Sequence, residues 1–223
     1  MPHALSQAFA QLGDPRIQKL IGLSIAIAMA AFIGLVVLAW YLLGAVTGLD
    51  GWWGEAAQVL GVFATIVVAW FTFPIVTAAT AALFADRVID AVMARHYPDR
   101  PMRYAVSMTE TILDGAKMAG IALFANLLTL PFLFFPPAYA VIAYGLNGYL
   151  LGREYFEMSG YRRLPRPEAK ALFQRHRGRF VLAGVVIAFL STIPFLNLIA
   201  PILGIAFMVH MFESVVNLEP RKG

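Results

Sequence analysis

The sequence predicts an all-α integral membrane protein: two long transmembrane helices plus two proline-broken re-entrant helical hairpins. Three observations carry that expectation. The 223 residues are 60% hydrophobic and 13% charged, with a mean hydropathy of +0.73, whereas soluble domains are about half apolar and about a quarter charged. Four stretches hold no Asp, Glu, Lys, Arg or His: Leu20 to Leu49, Ala56 to Ala85, Met118 to Gly152 and Phe180 to Val209. Each exceeds the roughly 20 apolar residues needed to cross a bilayer. The last two are interrupted near their middles by proline. Residues 1–223 therefore read as a single membrane domain.

The first span, about residues 20–49, is too long for the apolar core of a secretory signal and reads as a retained helix. A short link with Asp50 and Glu55 and no base leads to the second span, about residues 56–85. That helix continues out of the bilayer. Phe84, Val88, Ile89 and Val92 recur at helical spacing, while Asp86, Arg87, Asp90 and Arg95 take the other faces. Tyr97-Pro98-Asp99-Arg100-Pro101 ends it. Ser107, with Glu110 three residues on, has the form of a capping box that opens a new helix. Residues 86–117 thus read as a helical cytoplasmic region.

Charge decides how the remaining segments run. Arg16 and Lys19 precede the first span, and the 86–117 region balances five bases against five acids. The connection from Arg153 to Arg179 carries eight bases (Arg153, Arg162, Arg163, Arg166, Lys170, Arg175, Arg177 and Arg179) against Glu154, Glu157 and Glu168. Lys and Arg stay on the cytoplasmic side, so the N-terminus and residues 86–117 lie inside. If the third segment crossed once, the most basic connection would lie outside. If it enters and returns, every connection obeys the rule.

The prolines favour the return. Leu130-Pro131-Phe132-Leu133-Phe134-Phe135-Pro136-Pro137 forbids a continuous helical ladder. The arms on either side, Met118 to Thr129 and Tyr139 to Gly152, are about 20 Å of helix, short of a ~30 Å hydrocarbon core. The fourth segment repeats the pattern, with Pro194 to Pro201 between Phe180–Ile193 and Ile202–Glu213. Hairpins are therefore predicted at about 118–152 and 180–213. Four kinked spans are the competing reading, because membrane helices tolerate proline. Non-helical backbone at membrane depth must be covered by protein or line a wet cavity, which favours a homo-oligomer. Gly44-x-x-x-Gly48 and Gly148-x-x-x-Gly152 offer small faces for close helix approach. Pro165-Arg166-Pro167-Glu168 opens a basic helix expected to run through Arg179 into the fourth segment, and anionic lipid head groups suit it better than nucleic acid.

Thr192-Ile193-Pro194-Phe195-Leu196-Asn197-Leu198-Ile199-Ala200-Pro201, followed by a short apolar helix, closely resembles the last hairpin of CysZ-type sulfate permeases. The order of parts from about Gln11 to Glu213 is similar to that family and to the wider etoposide-induced-protein-like superfamily. It includes a first hairpin ending Tyr149-Leu150-Leu151-Gly152-Arg153-Glu154-Tyr155. The resemblance implies a multi-pass protein of the bacterial inner (cytoplasmic) membrane, with two spans and two half-penetrating hairpins, that assembles as an oligomer and passes sulfate for cysteine biosynthesis. The family's sulfate motif, Pro-Gly-(Ile/Leu)-Arg-Arg, falls on Pro15-Arg16-Ile17-Gln18-Lys19. Pro15 and Ile17 match, and Lys19 stands at the second basic position. Arg16 replaces the glycine and Gln18 the first arginine.

Pro15, Arg16, Ile17, Gln18 and Lys19 are accordingly the candidate anion-binding residues. Proline suits the first helical position, and the free N–H groups and dipole of a helix start attract anions. The competing reading is interfacial anchoring with Asp14 as N-cap. Arg153 and Glu154, where a hairpin helix leaves the membrane, and Asn126 and Asn197, near the hairpin tips, are candidates for the pathway. An ion pair under an aromatic belt and helix-to-helix hydrogen bonding are the plainer roles for them. His96, His176 and His210 lack metal-ligand spacing, there is no cysteine, and no catalytic motif presents itself. Neither enzymatic activity nor a cofactor is expected. The two functions in play are passage of sulfate or a related oxyanion and a non-transporting membrane scaffold.

Overall fold

Apolar segments that face hydrocarbon must satisfy each backbone N–H and C=O internally, which makes helix the economical solution. The computed structural model, which describes residues 1–46, 52–100, 108–193 and 196–218, follows it: every regular element among the described residues is helical. The chain divides into two compact units, Met1–Ile17 with Ala85–Gly223, and Gln18–Phe84. The links at 47–51 and 101–107, with the predicted helix start at Ser107, lie outside the described residues, as do Pro194 and Phe195.

The unit Gln18–Phe84 holds most of α2 (Pro15–Val46) and the first part of α3 (Trp52–His96). From Pro15 to Leu38, α2 is long and apolar enough to cross a membrane. Its outward side chains, among them Leu23, Ile27, Met29, Ile33 and Val37, are large and apolar, as are Val59, Leu60 and Phe63 on α3, the last 66% exposed. Water does not support contiguous apolar surface of this extent; hydrocarbon does. With 45 residues, α3 is about 68 Å long, twice what a crossing needs. It continues past the apolar stretch to His96, as predicted, with Val88, Ile89 and Val92 buried and Arg87 and Asp90 outward.

The other unit is built on α5 (Pro136–Arg163), α7 (Arg177–Thr192) and α8 (Leu196–Val216), which touch pairwise, with α1 (Pro2–Gln11) laid against α8. Its core helix is α8, buried continuously from Ile202 to Glu213. The tightest seam joins α5 to α7. A Cβ at Gly152 would stand 2.4 Å from the carbonyl oxygen of Phe180, so the small face predicted at Gly148 and Gly152 is filled by a helix of the same chain. At one end of the seam Phe156, Phe173, Phe180 and Phe212 bring α5, α6 (Arg166–Arg175), α7 and α8 together, Phe156 lying 4.6 Å from Phe180 and 5.6 Å from Phe212 between ring centres. Each such ring pair adds about 0.5–1.5 kcal/mol to the burial of its surface.

The first proline break falls where predicted, the second at Pro194 lies outside the described residues, and the helices around them are longer than the arms predicted. α4 (Met108–Thr129) has 22 residues and α5 has 28, separated by a 3-10 turn at Leu130–Phe134. α8 has 21 residues, about 32 Å, and is long and apolar enough to cross a membrane. The extra length of α4 and α5 lies mainly in their charged flanks, before Met118 and after Gly152. The expectation that the arms are too short to span therefore fails for α8, whose apolar stretch is itself long enough. The physical reason is that proline opens helices as readily as it ends them. Pro136 stands at the first position of α5, where an N–H has no helical partner anyway, and Pro201 is absorbed inside α8. A second difference lies in the basic helix, which stops at Arg175. His176, at φ −112° and ψ 24°, breaks it before α7 begins.

Candidate functional site

Within α8 the ionisable side chains are His210 and Glu213. With Asn217 just past its end they recur at i, i+3 and i+7, one face of the helix. Both ionisable residues are buried, and Glu213 has no exposure at all. An ionisable group in so apolar a helix needs a partner, and Glu213 has two. Arg100 donates from Nη1 to Oε2 at 2.5 Å, and Arg163 from Nε to Oε1 at 2.9 Å. Arg100 also donates from Nη2 to Oδ1 of Asn217 at 2.6 Å. The turn that Pro98 imposes after α3, closed by the Arg100 N–H on the Tyr97 carbonyl, delivers Arg100. Arg163 is the last residue of α5. Its neighbour Arg162 forms an ion pair with Asp86 of α3.

One turn back on α8, the His210 ring lies between two partners. The Tyr97 hydroxyl is 2.9 Å from Nδ1, and the Gln11 Oε1 is 3.3 Å from Nε2. A donating phenol at Nδ1 puts the ring proton on Nε2, where it serves Gln11. Burial, and then the Glu213 carboxylate, push the Tyr97 phenol above its ordinary value, so it stays a donor. The ring of His96 stands edge-on to His210 at 4.9 Å, and burial followed by Arg95 holds His96 below the ordinary histidine range. The Gln11 Nε2 is buried and finds no acceptor among the described residues.

The predicted anion-binding residues occupy the start of α2. Pro15 takes the first position, Arg16, Gln18 and Lys19 are exposed, and Ile17 is buried at 1% exposure. Asp14 caps this helix: its Oδ1 accepts the Arg16 N–H at 2.9 Å, and its Oδ2 accepts from Arg95 at 3.1 Å. The Arg16 N–H first, then Arg95, hold the carboxyl below the ordinary carboxylate range against the opposing effect of burial. A carboxylate thus already takes one of the donors that an anion at this helix start would use.

Two of the predicted pathway residues, Asn126 and Arg153, are engaged within their own helices. Asn126 donates to the Ala122 carbonyl of its own helix at 2.8 Å. Arg153 pairs with Glu157, one turn on, at 2.7 Å rather than with its neighbour Glu154, which is exposed on α5. Asn197 is half-buried in the first turn of α8, its N–H donating to the Ile193 carbonyl. Among the described residues no hydrogen bond or ion pair joins these four to one another.

The cluster around Glu213 was not foreseen from sequence. Its signal was nevertheless present: two ionisable residues three apart in an otherwise apolar helix. The two arginine partners of Glu213 lie 113 and 50 residues away in the chain, beyond the reach of any local pattern.

Among the described residues every regular element is helical, two of the helices are apolar and long enough to cross, and large apolar side chains face outward. A family model described as "Sulfate transporter CysZ/Etoposide-induced protein 2.4" matches residues 4–201. Together these define a membrane protein. The chain belongs to that family, as the Thr192 to Pro201 element and the order of its parts led us to expect. No curated protein matches it.

Proposed function

We infer that the protein is a multi-pass permease or channel of the bacterial inner membrane that passes sulfate or a related tetrahedral oxyanion, without chemical change, for sulfur assimilation. The observation that carries this reading is the family match over residues 4–201. Cations placed at the ends of helices are the means by which such a protein recognises an oxyanion; Arg16 and Lys19 at the start of α2 are of this kind. A homo-oligomer embedded in lipid covers the apolar side chains of α4 and of the 3-10 turn, among them Phe124, Leu128 and Phe134.

In this reading both proline-broken segments enter the membrane and come back. What supports it is where their ends meet. Asp86 and Arg100 precede the first hairpin, Arg162 and Arg163 follow it, and Glu213 closes the second. Yet Arg162 pairs with Asp86, and both Arg100 and Arg163 bond Glu213. A single crossing by either segment would put a bilayer of ~30 Å between partners that touch.

The test is sulfate flux into proteoliposomes of purified protein against empty vesicles. A permease gives saturable flux, and Arg16→Ala with Lys19→Ala reduces it. The occupation of the α2 cap by Asp14 favours a second reading, a non-transporting scaffold of the same family. A scaffold gives no flux and is indifferent to the double substitution.

A further inference from the structure

We propose that Arg100, Arg163 and Asn217 form a second oxyanion site, which the Glu213 carboxylate occupies until a tetrahedral oxyanion displaces it. This deepens the reading of the protein as an oxyanion permease and rests on it for the identity of the ligand.

Stability does not account for the arrangement. Replacing a buried ion pair with apolar side chains of similar volume is often neutral or stabilising, because desolvation of the charges offsets their attraction. Glu213 lies on a helix whose neighbouring positions are apolar from Ile202 to Val209, where a Leu or Met would pack without any such cost. What the arrangement does supply is geometry. Two planar guanidinium groups from separate elements converge on the two oxygens of one carboxylate. The forks that bind carboxylate also fit the O–S–O or O–P–O edge of a tetrahedral oxyanion, so Glu213 stands where one edge of sulfate or phosphate would fit.

The cations are also reachable where the carboxylate is not. The Arg100 side chain is 32% exposed and that of Arg163 14%, while Glu213 is wholly covered. An anion therefore meets Arg100 and the exposed Asn217 before it meets the carboxylate. On the same face of α8, beside His210, the buried Gln11 Nε2 is a further donor without an acceptor. Because Arg100, Arg163 and Glu213 belong to three different helices or their ends, exchanging the carboxylate for a free ion loosens α8 from α5 and from the turn after α3. Binding is thereby coupled to movement of the second hairpin.

The experiment is calorimetric titration of sodium sulfate into the full-length protein in detergent. Glu213→Gln, which keeps the shape and removes the competing charge, is expected to bind sulfate at least about tenfold more tightly than the unmodified protein. Adding Arg163→Ala should abolish the gain, and chloride at equal ionic strength should show none. Equal sulfate affinity in the unmodified protein and in folded Glu213→Gln overturns the proposal. Should Glu213→Gln not fold, thermal unfolding decides: sulfate raises the Tm of the unmodified protein, and Arg100→Ala loses that rise. A rise of the same size in Arg100→Ala overturns it. A gain in Glu213→Gln without sulfate flux by the unmodified protein leaves the site standing and removes the permease reading. Flux without the gain does the reverse.

Discussion

Gly184 of α7 lies so close to Gly148 of α5 that a methyl group on it would stand 2.0 Å from the Gly148 carbonyl oxygen and 2.5 Å from the backbone nitrogen of Gly152. The obstruction is backbone on both counts, so no side-chain rotation relieves it. Overpacking of a tight interior costs about 1–3 kcal/mol, and Gly184→Ala belongs at the upper end. Gly178→Ala, at an exposed site with no atom near its added methyl, is the control. Thermal unfolding in detergent should separate the two by several degrees. Equal Tm values would contradict the packing described.

The same seam shows what the sequence makes legible. Gly148-x-x-x-Gly152 marks a small helix face, and its surroundings say that the helix is apolar. Neither says whether the partner is Gly184 of the same chain or a second protomer, because that depends on how α7 folds back. The first proline break was equally legible in position. The helix lengths around the prolines were not, because Pro136 and Pro201 read as breakers in isolation and act as an opener and a tolerated kink in place. The family was legible because its marks are local and ordered along the chain. The clamp on Glu213 was not, because long-range packing assembles it from the turn at Arg100, the end of α5 and the buried face of α8. At the start of α2 the sequence held both readings, a capping Asp14 and a cationic helix start, and the structure contains both sets of groups at once.

Asp14 yields a prediction with a defined pH sense. Its folded carboxyl titrates below the ordinary 3.8, chiefly through the Arg16 N–H. Its contribution is therefore complete above about pH 4 and is lost as the pH falls through the folded value. Loss of the cap in Asp14→Ala should cost about 1 kcal/mol, and the half-exposed Arg95 adds little. Asp14→Asn keeps an oxygen for the cap, so it should lose less and should flatten the acid side of the stability profile. Unfolding midpoints between pH 3 and 7 measure both. An acid limb as steep in Asp14→Asn as in the parent would show that other carboxylates dominate.

Tyr97→Phe removes the hydroxyl that meets His210 at 2.9 Å and leaves a buried ring nitrogen without its partner. An unsatisfied buried polar atom costs about 1–3 kcal/mol, and the ring's apolar packing is retained. The loss should appear in the unfolding free energy. It should also appear as faster amide exchange near the last turns of α8 and the end of α1, the elements that His210 and Gln11 hold together. A Phe variant as stable as its parent would mean that water replaces the phenol, and that Tyr97 is held by its contact with Arg100, 5.7 Å from the ring centre.

Topology gives the sharpest separation of readings, because the chain contains no cysteine and a single introduced thiol is an unambiguous reporter. Asp90 and Lys170 are exposed and flank the first proline-broken segment. If that segment enters and returns, Asp90→Cys and Lys170→Cys react with a membrane-impermeant maleimide from the same face of sealed vesicles. If it crosses once, they react from opposite faces. Phe134→Cys, at the tip, then reports depth. Protected from both sides, it marks a hairpin that stops within the hydrocarbon. Labelled from the face opposite Asp90→Cys, it marks a hairpin whose arms run the full thickness, which α4 and α5, at about 33 and 42 Å, are long enough to do. The ion pair between Asp86 and Arg162 predicts the same-face result, and opposite-face labelling of Asp90→Cys and Lys170→Cys would be incompatible with it.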